Sequence, residues 1–157
     1  MYKDCVSEGE GFIRLTIQEA RRNLLDTLRG VMFKGQRIVL LQGGEEIAAL
    51  IPVGEFERLE YWKQEIIPSE YEPYEYEYYE DEGGIHCVDP DEVQAEFDDI
   101  LIEVRLSDEV FGILPPSNLS ETKFEIFPPL AILMNINNFW VPEYLIYERR
   151  RLWTRSH

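Results

Sequence analysis

Basic side chains cluster near the start of the chain, and they have the clearest potential for binding chemistry. Between Arg14 and Arg37 the sequence holds six bases against two acids. At about 100° per residue, Arg22 and Arg29 fall on one side of a helix, whereas Arg21 falls within its apolar arc. A cation there is out of place unless it reaches a partner, a carboxylate or a phosphate. Each phosphate that such a cluster neutralises would add salt-dependent affinity.

Residue types that could support catalysis are present but lack partners. His86 stands beside Cys87, and the other histidine is the terminal His157. A nucleophile needs a positioned base and a third group that orients it. Cys5 and Cys87 form no disulfide framework and no metal-binding spacing. We therefore expect no active site, no cofactor and no metal.

The charge of the chain is unevenly distributed. Its net charge is −16, and residues 64–112 alone hold seventeen acids and one base, whereas residues 1–63 sum to −1 and residues 113–157 to +1. Such asymmetry indicates that different segments have different tasks. The sequence has no secretion signal and no apolar run of eighteen residues, so we expect a cytoplasmic protein without a membrane span.

The segment from Pro68 to Glu82 alternates acids with tyrosines. One interpretation is a solvated, self-repelling linker. A second is a strip that imitates a polyanion and binds a basic partner, and a third is a sheet edge. In the second case the tyrosines would contact the partner; they are Tyr71, Tyr74, Tyr76, Tyr78 and Tyr79.

An amphipathic helix follows this segment. Asp89 is a helix cap, Pro90 suits the first helical position, and Val93, Phe97 and Leu101 recur on one face with acids opposite. The apolar face could pack on its own domain. Alternatively, it could lie in the hydrophobic groove of a partner protein, where these three side chains would be the anchors.

Two further stretches lie near the end of the chain. The run from Leu130 to Val141 is too apolar to remain in water, so it must pack on this chain, a dimer mate or another protein. The basic, aromatic stretch from Arg149 to Arg155 is either a solvated helix end or a segment that docks on the acidic middle or on nucleic acid.

Local signals predict the elements that would position the basic cluster. Thr16 and Glu19 form a capping box at a helix start, and Gly35 is a plausible stop for that helix. A β-branched run follows at Arg37–Gln42, and the positive φ angles available to Gly43 and Gly44 suit a tight hairpin turn. The predicted order is a short strand at Phe12–Leu15, a helix, a hairpin that returns through Glu45–Val53, and a second helix from Glu55.

Both strands of this hairpin are apolar at consecutive positions. Strands of this kind are covered on both faces. Two small helices hardly enclose such a sheet from both sides, so we expect a homodimer in which a second copy covers the remainder. The expected interface residues are Val39, Leu40, Leu41 and Leu50.

These motifs resemble the N-terminal domain of the Phd/YefM antitoxin family. The matching pieces, in order and at the family's spacing, are Thr16, Glu19-Ala20-Arg21, Asn23-Leu24, Gly35-Gln36-Arg37-Ile38, Gly44, Ala48-Ala49-Leu50-Ile51-Pro52 and Phe56-Glu57-Arg58-Leu59. The resemblance covers roughly the first third of the chain.

The resemblance implies an α+β fold and a dimeric antitoxin that binds operator DNA and neutralises a basic toxin protein. The DNA-binding candidates carried over from the family are Arg14, Thr16, Arg21, Arg22 and Arg37. The implied organisation is a dimerisation and DNA-binding domain at 1–66, an acidic linker at 67–87 and a C-terminal extension at 88–157.

The hairpin departs from the family pattern. Where the family has Arg-x-Gly-Lys-Pro, this chain has Gln42-Gly43-Gly44-Glu45-Glu46, so two bases are replaced by a neutral residue and an acid. The alternative interpretation is therefore a non-enzymatic interaction module, or assembly factor, that keeps the fold and docks on another protein complex. A neighbouring reading frame for a small basic protein would favour the antitoxin.

Overall fold

The computed structural model describes residues 12–66, 85–116, 129–141 and 143–144, with side chains at 62–66 excluded. The six strands of this part are β1 (Phe12–Thr16), β2 (Arg37–Gln42), β3 (Glu45–Pro52), β4 (Ile85–Val88), β5 (Val110–Ile113) and β6 (Ala131–Asn135). The helices are α1 (Ile17–Arg22), α2 (Leu24–Lys34), α3 (Val53–Ile66), α4 (Pro90–Ala95), α5 (Phe97–Leu106) and α6, which is helical at 136–141 and 143–144.

The strands form one mixed sheet in the order β1-β2-β3-β6-β5-β4. β1 lies parallel to β2, and β4 lies parallel to β5, whereas the β2–β3, β3–β6 and β5–β6 pairs are antiparallel. The α+β class expected from the sequence is confirmed. The predicted edge strand, helix, hairpin and second helix also appear in the expected order.

The second half of the sheet repeats the first half. The first residues of β1, α1, α2 and β2 are 12, 17, 24 and 37, and those of β4, α4, α5 and β5 are 85, 90, 97 and 110, so each offset is 73 residues. Between residues 12–40 and their counterparts only four positions are identical, namely Glu19/Glu92, Asp26/Asp99, Leu28/Leu101 and Val31/Val104. The repeat therefore lies in the geometry more than in the residue identities.

Strand registers extend the repeat into an approximate two-fold symmetry. Ile38 pairs with Leu50, and its counterpart Phe111 pairs with Leu133. Leu50 and Leu133 are therefore equivalent positions, and they are also paired with each other across β3 and β6. The approximate axis passes between these two leucines, so the chain has the topology of a dimer of two small units within one polypeptide. The first unit runs from β1 to α3, and the second unit contains β4, α4, α5, β5, β6 and α6.

Helix caps explain why both units begin in the same way. The Thr16 hydroxyl accepts the Glu19 N–H at 3.1 Å, and the Asp89 carboxylate accepts the Glu92 N–H at 2.8 Å. These bonds satisfy backbone donors that a helix start leaves unpaired. The single helix expected after Thr16 is two helices, because Asn23 leaves the helical region at φ −124° and ψ 42°. Its counterpart Glu96 breaks the second pair at φ −121° and ψ 26°.

The turns require positive φ at a few positions. Gly35 ends α2 at φ 71°, as expected, and Asp108 takes the equivalent position after α5 at φ 56°. Gly43 and Gly44 form the β2–β3 turn at φ 59° and 82°, which confirms the predicted tight hairpin.

Helices cover both faces of the sheet. On one face α1, α2, α4 and α5 pack against side chains that include Leu40, Leu50 and Leu133. On the other, Phe56 of α3 and Phe139 of α6 pack against the opposite side of the same strands. The expectation that these strands are covered on both faces is confirmed, and the covering elements come from the same chain.

This arrangement changes how the expected domains and dimer are understood. The second unit begins at Ile85, inside the segment expected to be a linker, and shares one sheet with the first unit. The place at β3 that a second copy would occupy is held by β6. A homodimer around this hairpin stays a prediction, and it would need β6 to leave.

Candidate functional site

Arg14, the first DNA-binding candidate, is paired with the altered hairpin. Its Nε donates to Glu46 Oε2 at 2.9 Å. The other carboxylate oxygen of Glu46 accepts the Trp140 indole N–H at 3.1 Å. Glu46, next to the hairpin turn, therefore joins β1, β3 and α6, and it pairs with an arginine that was expected to contact DNA.

Arg37, the second candidate, is partly buried in a cluster of four charged side chains. Its side chain is 12 % exposed, and its Nη1 lies 3.7 Å from Glu55 and 3.5 Å from Glu143. Arg58 Nη2 donates to the same two carboxylates at 2.7 Å and 2.5 Å. The Arg37 guanidinium also lies over the ring of Phe12, at 4.0 Å from its centroid. With two cations and two anions, this cluster is neutral and joins β2, α3 and α6.

Burial governs the protonation of this cluster. It raises the pKa of the Glu143 carboxyl above its ordinary value, although the neighbouring charges of Arg58 and Arg37 oppose the rise. Burial alone would lower the pKa of Arg58, but attraction to Glu143 and Glu55 outweighs it and raises that pKa. The arrangement can stabilise the fold, because it holds charged side chains of β2, α3 and α6 together.

Arg21 and Arg22 differ in their surroundings. The Arg21 guanidinium forms an ion pair with Asp98 of α5 and lies 5.9 Å from the centroid of the Phe97 ring. The sequence allowed this cation to bind a partner, a carboxylate or a phosphate, and in the structure it binds a carboxylate of its own chain. Arg22 is exposed.

Thr16, the last DNA-binding candidate, is engaged in the capping box. Its N–H donates to Glu19 Oε1 at 3.0 Å, while its hydroxyl accepts from the Glu19 backbone. Hydrogen bonds with Thr16 lower the pKa of the Glu19 carboxyl; the bond from the Thr16 backbone has the larger effect and the bond with its side chain the smaller one. The charge of Arg22 also lowers this pKa.

The symmetry-related positions of the second unit carry no basic charge. Seventy-three residues after Arg14, Thr16, Arg21, Arg22 and Arg37 stand Cys87, Asp89, Gln94, Ala95 and Val110. The face that would be basic in a symmetric dimer is therefore basic on one side only. On the other side it is neutral or acidic.

Acidic side chains dominate the outer side of α4 and α5. The exposed carboxylates there are Asp91, Glu92, Glu96, Asp98, Asp99 and Glu103. Partial desolvation, followed by the nearby negative charge of Asp89, raises the pKa of the Glu92 carboxyl. This surface continues the excess of negative charge seen in the sequence, and it lies on ordered helices.

The apolar side chains expected to anchor a partner are internal. Val93, Phe97 and Leu101 are at most 5 % exposed and pack on the sheet of their own chain. This corrects the partner-groove interpretation in favour of packing on the same domain, because burying these residues completes the core beneath α4 and α5. The five tyrosines of the acidic segment lie outside the described residues.

The residues expected at a dimer interface are also enclosed by this chain. Val39, Leu40 and Leu50 are at most 3 % exposed, and Leu41 is partly buried. Leu50 faces Leu133 in the neighbouring strand. The predicted set thus lies at the centre of the fold, with the second unit in the role assigned to a second copy.

Sequence reasoning missed an exposed apolar pair on α5. Ile102 is 52 % exposed and Leu106 is 81 % exposed. Their positions in the sequence could have indicated this exposure, because at about 100° per residue Ile102 and Leu106 fall on the side of the helix opposite Phe97 and Leu101. An apolar residue on the polar side of an amphipathic helix is informative when a second one lies one turn away.

Two of the reactive side chains considered from the sequence, His86 and Cys87, lie among the described residues. His86 is exposed and stacks on Phe111 at a centroid distance of 5.1 Å, and Cys87 is partly buried. Within the described ranges no three His, Cys, Asp or Glu side chains converge as metal ligands would. No helix of that part is both long and apolar enough to cross a membrane.

Comparison of the chain with protein-family models, curated proteins and solved structures finds no match.

Proposed function

We propose that this protein is a non-enzymatic interaction module that docks on a basic protein partner. The observation that carries the proposal is the pairing of Arg14, Arg21 and Arg37 with carboxylates of the same chain. An arginine that binds a phosphate releases counterions and gains affinity. An arginine already paired with a carboxylate must first lose that pair, and Arg37 would also have to leave a partly buried position.

The loss of charge symmetry supports the same conclusion. Dimeric repressors read two half-sites with two equivalent surfaces. Here the counterparts of Arg21 and Arg22 are Gln94 and Ala95, and exposed acids surround them. A duplex placed symmetrically on this face would meet bases on one side and carboxylates on the other, which disfavours operator binding.

The acidic surface of the second unit indicates the chemistry of the partner. A surface rich in one sign of charge accelerates encounter with the opposite sign and repels the same sign. A basic protein therefore fits this module better than a nucleic acid. The resemblance of residues 12–66 to antitoxins makes a basic toxin the first partner to test.

Two binding measurements on the full chain test the proposal. Fluorescence anisotropy with the DNA upstream of its own gene, at about 50 mM salt where phosphate contacts are strongest, should show no sequence-specific binding. Binding to the product of a neighbouring small basic reading frame should be measurable, and its association rate should fall as salt rises. Specific nanomolar DNA binding that is lost in Arg21→Ala/Arg22→Ala would overturn the proposal.

A further inference from the structure

The outer face of α5 exposes two large apolar side chains one helical turn apart. Leu106 keeps 81 % of its surface exposed and Ile102 keeps 52 %. The inner face is fully used, since Phe97, Ile100, Leu101 and Val104 are buried against the sheet. The exposed pair therefore contributes little to the core, while its contact with water is unfavourable.

Carboxylates flank this apolar pair on both sides. With Asp98 taken as 0° on a helical wheel, Ile102 lies at about 40° and Leu106 at about 80°. Asp99 at about 100° and Glu103 at about 140° border the other side. All three acids are exposed. We call these five residues the α5 strip: Asp98, Asp99, Ile102, Glu103 and Leu106.

The equivalent helix of the first unit indicates that the fold does not require this strip. The counterparts of Ile102 and Leu106, 73 residues earlier, are Arg29 and Phe33 of α2. The first of these positions thus holds a cation in α2 and an aliphatic side chain in α5, whereas the second exposes an apolar side chain in both helices. Since both helices bury their inner faces, the exposed aliphatic side chain at Ile102 calls for another explanation.

We propose that the α5 strip is the docking surface for a basic amphipathic helix of a partner protein. The partner's apolar side chains would cover Ile102 and Leu106, and its lysines or arginines would reach Asp99 and Glu103, because Asp98 is already paired with Arg21. This is the helix-on-helix recognition that reads apolar residues at a spacing of three or four. The inference rests on the proposed function and names the surface that performs it.

Charge complementarity favours a basic occupant over a second copy of this chain. Each copy carries a net charge of −16, so two copies repel at long range. A cationic helix would instead be attracted before contact, and burial of the apolar pair would then slow its dissociation. The acids supply approach and orientation, and Ile102 and Leu106 supply most of the affinity.

The test uses a fluorescein-labelled synthetic helix of leucine and lysine at alternating three- and four-residue spacing, with the full-length protein titrated in about 150 mM salt. The first variant is Ile102→Gln/Leu106→Gln. Its matched control is Leu25→Gln/Phe33→Gln, which removes two exposed apolar residues from the equivalent helix of the other unit. The strip variant should weaken binding at least tenfold, and the control should change it less than twofold.

A second pair of variants separates specific contact from general attraction to net charge. Asp99→Asn/Glu103→Gln removes two charges from the strip, and Asp26→Asn/Glu45→Gln removes two exposed charges from the first unit. The strip pair should weaken binding about fivefold more than the control pair, since adjacent charges are screened least. Equal weakening by both pairs would overturn the inference, because it would mean that the peptide senses only total charge.

The remaining outcomes distinguish this inference from the proposed function. Tight peptide binding that ignores every strip variant would place the basic partner elsewhere, so the strip would fail while the proposed function stood. No peptide binding together with specific DNA binding would remove both. Concentration-dependent sedimentation of the protein alone, abolished by Ile102→Gln/Leu106→Gln, would identify a second copy as the occupant and overturn the basic helix. A further variant replaces Arg149, Arg150 and Arg151 by Gln: if this change strengthens peptide binding, and does so only when the strip is intact, then the chain's own basic stretch is the occupant of the strip.

Discussion

The two units of this protein share a scaffold and differ in surface charge. Both begin with a capped helix, break it at the same position and pair their strands in the same register. Yet the exposed cations of the first unit are replaced by neutral or acidic residues in the second. The comparison teaches that packing constrains the buried positions of such a unit, whereas its outer face can carry a different charge in each of the two units.

Separating the units should give the largest effect. Residues 1–66 alone would expose the β3 edge and the apolar faces beneath it, and an exposed apolar edge pairs readily. Because Leu50 is equivalent to its own neighbour Leu133, two copies of this fragment could pair Leu50 with Leu50. Light scattering should therefore report a dimer of the fragment, formed through the edge that β6 occupies in the full chain. A folded monomeric fragment would contradict the equivalence.

Charges placed on the approximate axis should unfold the whole sheet. Leu50→Asp and Leu133→Asp each bury an unpaired carboxylate, and each should lower the free energy of unfolding by about 4 kcal/mol or more. Leu25→Asp, on the exposed side of α2, should change it by less than about 0.5 kcal/mol. Urea unfolding followed by circular dichroism measures this. Markedly unequal losses at the two leucines would show that the units unfold separately.

The buried ion cluster is a feature of the first unit together with α6. Glu143→Gln would leave Arg37 and Arg58 with Glu55 as the remaining carboxylate of the cluster, and breaking a buried pair costs about 3 kcal/mol. The exposed Glu45→Gln should cost under about 0.5 kcal/mol. Chemical denaturation of both variants gives the comparison. A Glu143→Gln protein as stable as the control would mean that the cluster does not hold α6.

Equivalent strand positions should tolerate different side chains. Val39 fills its position in β2, whereas at Gly112 in β5 an added Cβ would lie 2.9 Å from Cβ and Cγ of Pro129. Gly112→Ala should therefore cost about 1–3 kcal/mol in the free energy of unfolding through overpacking. Gly54→Ala, which meets no atom within 4 Å, is the control and should be neutral or slightly stabilising. Thermal melts of the two variants give the comparison, and equal midpoints would contradict it.

The smallest effect concerns the paired glutamates at the helix starts. The hydrogen bonds from Thr16 lower the pKa of Glu19, whereas partial desolvation and then the charge of Asp89 raise that of its counterpart Glu92. With 4.5 as the unfolded value, Glu19 stabilises the fold above pH 4.5 and loses this contribution as the pH falls through its lowered pKa. Glu92 has the opposite sign: the folded state binds the extra proton, so stability falls as the pH rises from 4.5 through its raised pKa.

Carboxyl ¹³C NMR titration of the full chain checks this prediction directly. The Glu19 signal should titrate below pH 4.5 and the Glu92 signal above it. Thr16→Ala should move the Glu19 transition upward and leave Glu92 unchanged, because the two caps lie in different units. Coincident transitions for the two glutamates would contradict the proposed difference between their surroundings.

Local features were within reach of the sequence alone. The Thr16 and Asp89 caps, the Gly35 stop and the Gly43-Gly44 turn depend on backbone donors and φ angles that neighbouring residues determine. The hairpin strands were correctly expected to be covered on both faces, since their apolar positions are consecutive. The excess of acid in the second unit was equally visible in the residue counts.

Only the tertiary structure decided which elements meet. The repeat leaves little trace in the sequence because Leu28/Leu101 and three other pairs are its only identities between residues 12–40 and their counterparts, and most buried sites need only apolar volume. Arg37 could be expected to face a phosphate until the fold brought Glu143 to within 3.5 Å. Likewise, the covering expected from a second copy comes from helices of the same chain. Contacts between residues distant in sequence leave no local pattern, since each residue by itself is compatible with many different contact partners.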